Sequence, residues 1–198
     1  TERRPFFVEG IELFATPNQL VYTRQMVQPT VGGKLTGKFG PWGVAYLAVH
    51  DDGRNRGAPD AVFNVARLRR DVGRSSLVGV TLTDRRESVD AFNTVLAADT
   101  RVVFGGKYYF EAQLGGSATR AALPAGDDFA RRTGAVYKAE LDRTGRSWGF
   151  NYSIEGTGDD FRTRSGFVPR TGITSAQGFN RLTWYGAAGG LVENVTAF

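Results

Sequence analysis

The chain contains no cysteine, one histidine, one methionine and seven prolines. The lack of cysteine excludes disulfides and thiolate metal sites and leaves the redox compartment open. A single histidine, His50, gives little support to a histidine-cluster metal site or a Ser-His-Asp triad, and at a strand end it reads as a rim residue. No apolar run approaches the ~20 residues of a membrane-spanning helix. Phosphate-cradling glycine loops, a P-loop and RNA-binding signatures are missing as well. No helical pattern is convincing: the nearest, Ser88 to Ala98, is too rich in Val, Thr and Asn. Hydrophobic residues make up 41%, a low share for a globular domain.

What is present is aromatic and glycine-rich, with 14 Phe and 26 Gly among 198 residues. That balance suits a sheet with one apolar face and many turns, either one domain with a sizeable core or part of a larger barrel. The net charge of +5 rests on 25 basic residues, but 20 acidic residues are interspersed with them. This favours a solvated surface or a mixed-charge pore wall over a nucleic-acid site. Thr1 opens the sequence without a signal peptide, so a mature, truncated or cytosolic chain is expected.

The stretch from Ala135 to Glu155 sets the pattern. Ala135, Tyr137, Ala139 and Leu141 alternate with Lys138, Glu140 and Asp142; Trp148, Phe150, Tyr152 and Ile154 alternate with Gly149, Asn151, Ser153 and Glu155. A period of two puts each set on its own face of a hairpin. Between them Arg143-Thr144-Gly145-Arg146 offers a tight turn, with Gly145 free to take a positive φ. A soluble sandwich would bury the aromatics, whereas an outer-membrane barrel would turn them to lipid and the charges to its lumen.

Residues 1–18, dense in aromatics and interrupted by Pro5, read as a lead-in segment packed at an interface. Residues 19–198 read as barrel strands, about eleven of them, beginning with Leu20 to Val27 and ending with Leu191 to Phe198. Reversals near Pro41, Gly73, Gly105, Gly145 and Gly189 are tight. Connections near Gly53, Glu87, Pro124 and Gly166 are longer, with Gly115 to Thr133 and Gly156 to Ser175 the longest. In an up-and-down meander every second connection lies on one rim, so one rim has short turns and the other long loops, as in outer-membrane barrels. A Greek-key sandwich has no reason to keep that order. The expected fold is all-β: an antiparallel up-and-down meander forming an outer-membrane β-barrel or a large part of one.

Several segments carry a family resemblance. Glu2-Arg3-Arg4-Pro5-Phe6-Phe7-Val8-Glu9-Gly10 resembles the opening of a bacterial outer-membrane barrel family of uncharacterised function, whose members often follow a family-9-type carbohydrate-binding module. The run from Gly32 to Trp42 is similar to that family's first clear hairpin, and Phe63 to Asp71 with Gly73-Arg74-Ser75-Ser76 to its next. Gly158-Asp159-Asp160-Phe161 and Gly166-Phe167-Val168-Pro169-Arg170 look like a later loop. The resemblance covers most of residues 2 to 170 and weakens beyond. It implies a barrel that continues past this chain and a role at the bacterial outer membrane. It transfers neither catalytic residues nor, with the sugar-binding module absent, carbohydrate binding.

The expected lumen-facing polar residues are Lys34, Lys38, Arg67, Arg69, Asp99, Arg101, Glu111, Gln113, Lys138 and Glu140. The expected lipid-facing or girdle aromatics are Tyr108, Phe110, Tyr137, Trp148, Phe150 and Tyr152. Asp51-Asp52 and Asp159-Asp160 offer oxygen ligands for calcium, against the plainer reading of solvated loop carboxylates. Glu140 and Asp142 present paired carboxylates on one face, against the plainer reading of an ion-pair ladder. Arg69-Arg70, Arg85-Arg86 and Arg131-Arg132 suit lipopolysaccharide phosphates or headgroup anchors. No catalytic residue and no cofactor is expected. The expected function is passage or handling of a solute, glycan-related by resemblance, at the outer membrane, with membrane lipid and barrel-completing or barrel-plugging chains as partners and no nucleic acid. A soluble all-β carbohydrate- or ligand-binding module, a membrane-embedded hydrolase and a structural barrel that anchors a partner remain open.

Overall fold

A computed structural model describes residues 2–54, 57–122 and 129–198. Ten strands form one antiparallel sheet in chain order. They are β1 (Pro29–Phe39), β2 (Trp42–Asp51), β3 (Ala61–Val72), β4 (Ser76–Arg86), β5 (Phe92–Phe104), β6 (Tyr108–Ala122), β7 (Phe129–Arg143), β8 (Trp148–Thr157), β9 (Ile173–Tyr185) and β10 (Asn194–Ala197). The only helical pieces among the described residues are one α turn at Pro5–Val8 and 3-10 turns at Ile11–Phe14 and Thr23–Gln25. The chain is thus an all-β antiparallel meander. The sheet is open: among the described residues β1 pairs only with β2, and β10 only with β9.

The two faces differ because side chains alternate along every strand. On one face Ala45, Leu47 and Val49 of β2 and Ala61, Phe63 and Val65 of β3 are buried beneath the lead-in, packing on Phe7, Phe14 and Met26. Further along the same face Val95, Ala97 and Val136 are buried under Leu20 and Phe161. The second layer is therefore not a sheet. It is residues 2–28 together with the β8–β9 connection, 158–172. Sequence alone left β2 ambiguous, since it is apolar on both parities; the apolar cover supplied by the lead-in settles which parity is buried.

Three expectations are corrected. Leu20 to Val27 is not a strand: it contains the Thr23–Gln25 turn and is bound to the 158–172 loop, so the described residues hold ten strands and the lead-in extends to Gln28. Second, Gly115 to Thr133 is not one long connection. β6 runs on to Ala122 and β7 begins at Phe129, because Gly115, Gly116 and Gly134 pair in register with their neighbours. The reversal expected at Pro124 lies outside the described residues, as do Asn55 and Arg56 of the β2–β3 loop. Third, Gly145 does not adopt a positive φ. Its role is space, because a Cβ there would fall 2.5 Å from the Trp148 carbonyl oxygen.

Connection lengths keep one rim tight at residues 40–41, 73–75, 105–107 and 144–147, and widen only at 186–193. The opposite rim carries 52–60, 87–91 and 158–172.

Candidate functional site

Register places all ten polar residues singled out above on the covered face. Arg67 and Asp99 form a bidentate pair, 2.6 Å from Nη1 to Oδ1 and 2.8 Å from Nη2 to Oδ2. Their side chains are 3% and 2% exposed, and Arg67 also donates to the Thr81 hydroxyl. Glu111 accepts from the Tyr109 hydroxyl at 2.7 Å, from Lys138 at 3.2 Å and from Arg101 at 3.3 Å. Lys138 also lies 3.6 Å from Glu140, which accepts from Asn151 at 2.7 Å. Lys38 and Arg69 both face Asp71. Such mixed signs lace neighbouring strands together.

Two of the ten hold the lead-in directly. Lys34 Nζ donates to the carbonyls of Phe6 and Glu9, and Gln113 Oε1 accepts from the Asn18 amide at 2.8 Å. Within the segment, Arg4 pairs with Glu2 at 2.8 Å and donates to the Thr23 carbonyl at 2.9 Å. The Arg4 hydrogen bonds hold the Glu2 carboxyl well below the usual glutamate range. Between the lead-in and the sheet remains a cavity of about 380 Å³ whose polar walls include Glu12, Thr16, Arg67, Arg69, Asp99 and Arg101.

The 158–172 loop is clamped from both sides. Tyr22 donates its amide to Ser165 O and Phe167 donates to Gln19 O, both at 2.8 Å. Buried Asn93 donates to Arg162 O at 2.9 Å and accepts from the Arg164 amide at 2.7 Å. Gly134 makes the approach possible, since a Cβ there would lie 2.1 Å from the Phe161 nitrogen. Replacing Gly134 with Val is therefore expected to expel the loop while leaving the strand ladder paired. Amide exchange across 158–172 should accelerate at least ~10-fold, about 1.4 kcal/mol of local opening, while amides of β3 to β5 keep their protection.

The six aromatics singled out above stand on the opposite, bare face, which no second layer covers among the described residues. Trp148 and Tyr152 are exposed, whereas Tyr108, Phe110 and Tyr137 are half-buried by neighbours on the same face. Phe150 is 9% exposed because rings of Trp148 (5.4 Å), Tyr152 (5.0 Å) and Tyr108 (6.4 Å) close over it. Leu35, Leu68, Val80, Leu96, Leu114 and Trp184 continue the exposed apolar surface over the other strands. On β6 the bare-face positions run apolar from Tyr108 to Ala118 and stop at Arg120; on β7 they run from Leu141 back to Ala135, with Arg143 at one end and Arg131 at the other.

At the tight-turn rim arginines lie over aromatic rings: Arg70 on Trp42 at 5.3 Å, Arg143 on Trp148 at 4.5 Å, Arg146 on Tyr185 at 4.3 Å. The three Arg-Arg dipeptides that lie in strands are split by the pleat, so Arg70, Arg86 and Arg131 stand on the bare face and Arg69, Arg85 and Arg132 on the covered one.

The remaining candidates have structural partners. Asp51 accepts from the Gln28 amide, Asp52 pairs with Arg54 at 2.8 Å, and Asp160 pairs with Arg132 at 2.9 Å. Asp159 lies exposed in the same loop as Asp160. Asp142 accepts from the Thr144 hydroxyl at 3.0 Å, and His50 Nδ1 lies 2.7 Å from the Thr30 hydroxyl. Among the described residues no group of three or more His, Cys, Asp or Glu gathers as a metal would require. Sequence reasoning missed the covering residues Leu20, Met26 and Phe161; the signal available was large apolar residues set in irregular chain, Leu20, Val21 and Met26 in one segment and Phe161 and Val168 in the other. Compared with known protein families, with curated proteins and with solved structures, the chain finds no match.

Proposed function

We propose that this chain forms the wall of a bacterial outer-membrane β-barrel, with the bare face toward lipid and the covered face toward the lumen. One observation carries the reading: a ten-stranded sheet packs its mixed face, apolar patches beside a charged ladder, on its own lead-in and loop, and among the described residues leaves its aromatic, aliphatic face with nothing on it. In water so large an apolar face is unstable; in hydrocarbon it is the required one. The extent of the face agrees. From Tyr108 to Ala118 the rise is roughly 34 Å along the strand, and at a tilt of ~45° that spans ~24 Å, close to the ~25 Å apolar band of such barrels. Arginines and aromatic rings mark both ends of the band, where headgroups would lie.

The free edges of β1 and β10 fit this reading only if further strands pair with them, from more of the same polypeptide or from another chain, since unpaired backbone groups facing lipid cost several kcal/mol each. The role is passage or handling of a solute across that membrane, and its link to glycans rests on the family resemblance alone. A second reading, a structural barrel that anchors a partner, is favoured by one feature: the lead-in and the 158–172 loop occupy the covered face.

Three tryptophans test the membrane reading, because Trp42, Trp148 and Trp184 all stand on the bare face. Reconstituted with brominated lipids, all three should be quenched. Unquenched fluorescence from a protein that stays monomeric without detergent would instead establish the soluble module.

A further inference from the structure

The bare face is not uniform. Across β2 to β6 it carries an apolar groove of about 590 Å³. Its floor is made of the small side chains Ala98 and Ala112, and Leu68, Val80 and Leu114 wall it. These residues lie in two adjacent register rows: Trp42, Arg70, Val78, Thr100 and Ala112 in one, and Leu68, Val80, Ala98 and Leu114 in the other. Spanning five strands, the groove is roughly 19 Å long at ~4.8 Å per strand spacing. One end opens at the tight-turn rim, where Trp42 begins β2, and the other reaches Leu114, well inside β6. It therefore climbs from the rim into the wall.

At its mouth stands Arg70, exposed and lying 5.3 Å over the Trp42 ring. Among the described residues Arg70 makes no ion pair, unlike Arg86 and Arg120 at the other rim, which pair with Asp84 and Asp90. An unpaired guanidinium at the end of an apolar furrow suits an anionic head with a hydrocarbon chain behind it, and the anionic lipid a membrane wall meets is a phospholipid.

Resting on the membrane reading above, we infer that this groove binds one phospholipid of the periplasmic leaflet, its phosphate on Arg70 and one acyl chain over Ala98 and Ala112. The rim selects the leaflet. Short turns lie on the periplasmic side of such barrels, where the lipid is phospholipid, while lipopolysaccharide faces the long-loop rim. The groove length also suits a single leaflet, whose share of the ~30 Å hydrocarbon core is ~15 Å.

The test uses the detergent-solubilised full chain in three single-tryptophan forms, retaining Trp42, Trp148 or Trp184 with the others changed to Phe. Brominated phosphatidylglycerol is titrated in at low mole fraction. Trp42 should be half-quenched at a lipid fraction at least ~5-fold lower than Trp148 or Trp184. Arg70→Gln should erase that advantage, as should Ala98→Phe, which fills the floor. Brominated diacylglycerol, lacking the phosphate, should show no preference for Trp42, and lipid A should fail to displace the phosphatidylglycerol. Equal quenching of all three tryptophans, or a Trp42 preference that survives Arg70→Gln, overturns the site; displacement by lipid A overturns the leaflet. The membrane reading fails differently, with none of the three tryptophans quenched even in full brominated bilayers.

Discussion

Asp99→Ala should destabilise the protein by about 3–5 kcal/mol, the range for removing one partner of a buried ion pair. The loss comes from what remains. The Arg67 side chain is 3% exposed, and without Asp99 its only side-chain partner among the described residues is the Thr81 hydroxyl. Its Nε already lacks a partner. Gly79 is what lets the guanidinium lie where it does, since a Cβ there would fall 2.9 Å from its Nη2. Removing both charges at once, Arg67→Met with Asp99→Leu, should recover most of the loss, because the pair itself gains little over apolar packing. Asp160→Ala provides the contrast: its pair with Arg132 is about half exposed on both sides and should be worth ~0–1 kcal/mol. Unfolding of the unaltered protein and the three variants in one detergent makes the comparison. A cost below ~1 kcal/mol for Asp99→Ala would mean that water reaches the pair, and that the covered face is wet rather than packed.

Strand faces were legible wherever one parity is polar, because they depend on a period of two; β2, apolar on both parities, was the exception. Lys138 and Glu140 against Tyr137 and Leu141 is such a case, and the register shows those sets on opposite faces. The all-β meander followed from the same pattern and from the spacing of turn residues. The cover over the polar face was not legible, because it is built from segments with no period. Leu20, Met26 and Phe161 are apolar residues in irregular chain, and only tertiary contact brings them onto β2, β5 and β7. Leu20 to Val27 reads as a strand by composition, yet it lies bound through Tyr22 to Ser165, a partner far away in sequence. Glycine misled in the same way at positions 115, 116 and 134. Glycines in a row look like a connection, whereas here they sit in paired strands, Gly115 leaving room for Val136 and Gly134 for Phe161. The Arg67–Asp99 pair was half legible: both residues were assigned to one face, but adjacency needed a register that crosses β4.

Freeing the lead-in should turn a silent protein into a conducting one. With residues 2–28 in place, the polar face is shielded by four fully or almost fully buried side chains, Phe7, Phe14, Leu20 and Met26. Each contributes ~1.5–3 kcal/mol of burial, and Lys34 and Gln113 fasten the backbone to β1 and β6. The assembled protein in a planar bilayer should therefore show no steady open current. Leu20→Asp places an unpaired carboxylate against Val95, Val136 and Phe161, a buried charge with no counter-ion, and should dislodge the segment without removing it. Steady conductance should then rise at least ~10-fold, and deletion of 2–28 should match it. A cross-link separates opening from misfolding. The chain has no cysteine, and a Cβ at Gly10 would lie 3.4 Å from the Thr36 Cβ, close to disulfide separation. In the Leu20→Asp background, Gly10→Cys with Thr36→Cys should stay silent when oxidised and conduct when reduced, at some cost because Gly10 has a φ of +65°. Current in the unaltered protein, or current unchanged by the cross-link, would mean that the lead-in is not what closes the lumen; silence in every variant would favour the structural barrel that anchors a partner.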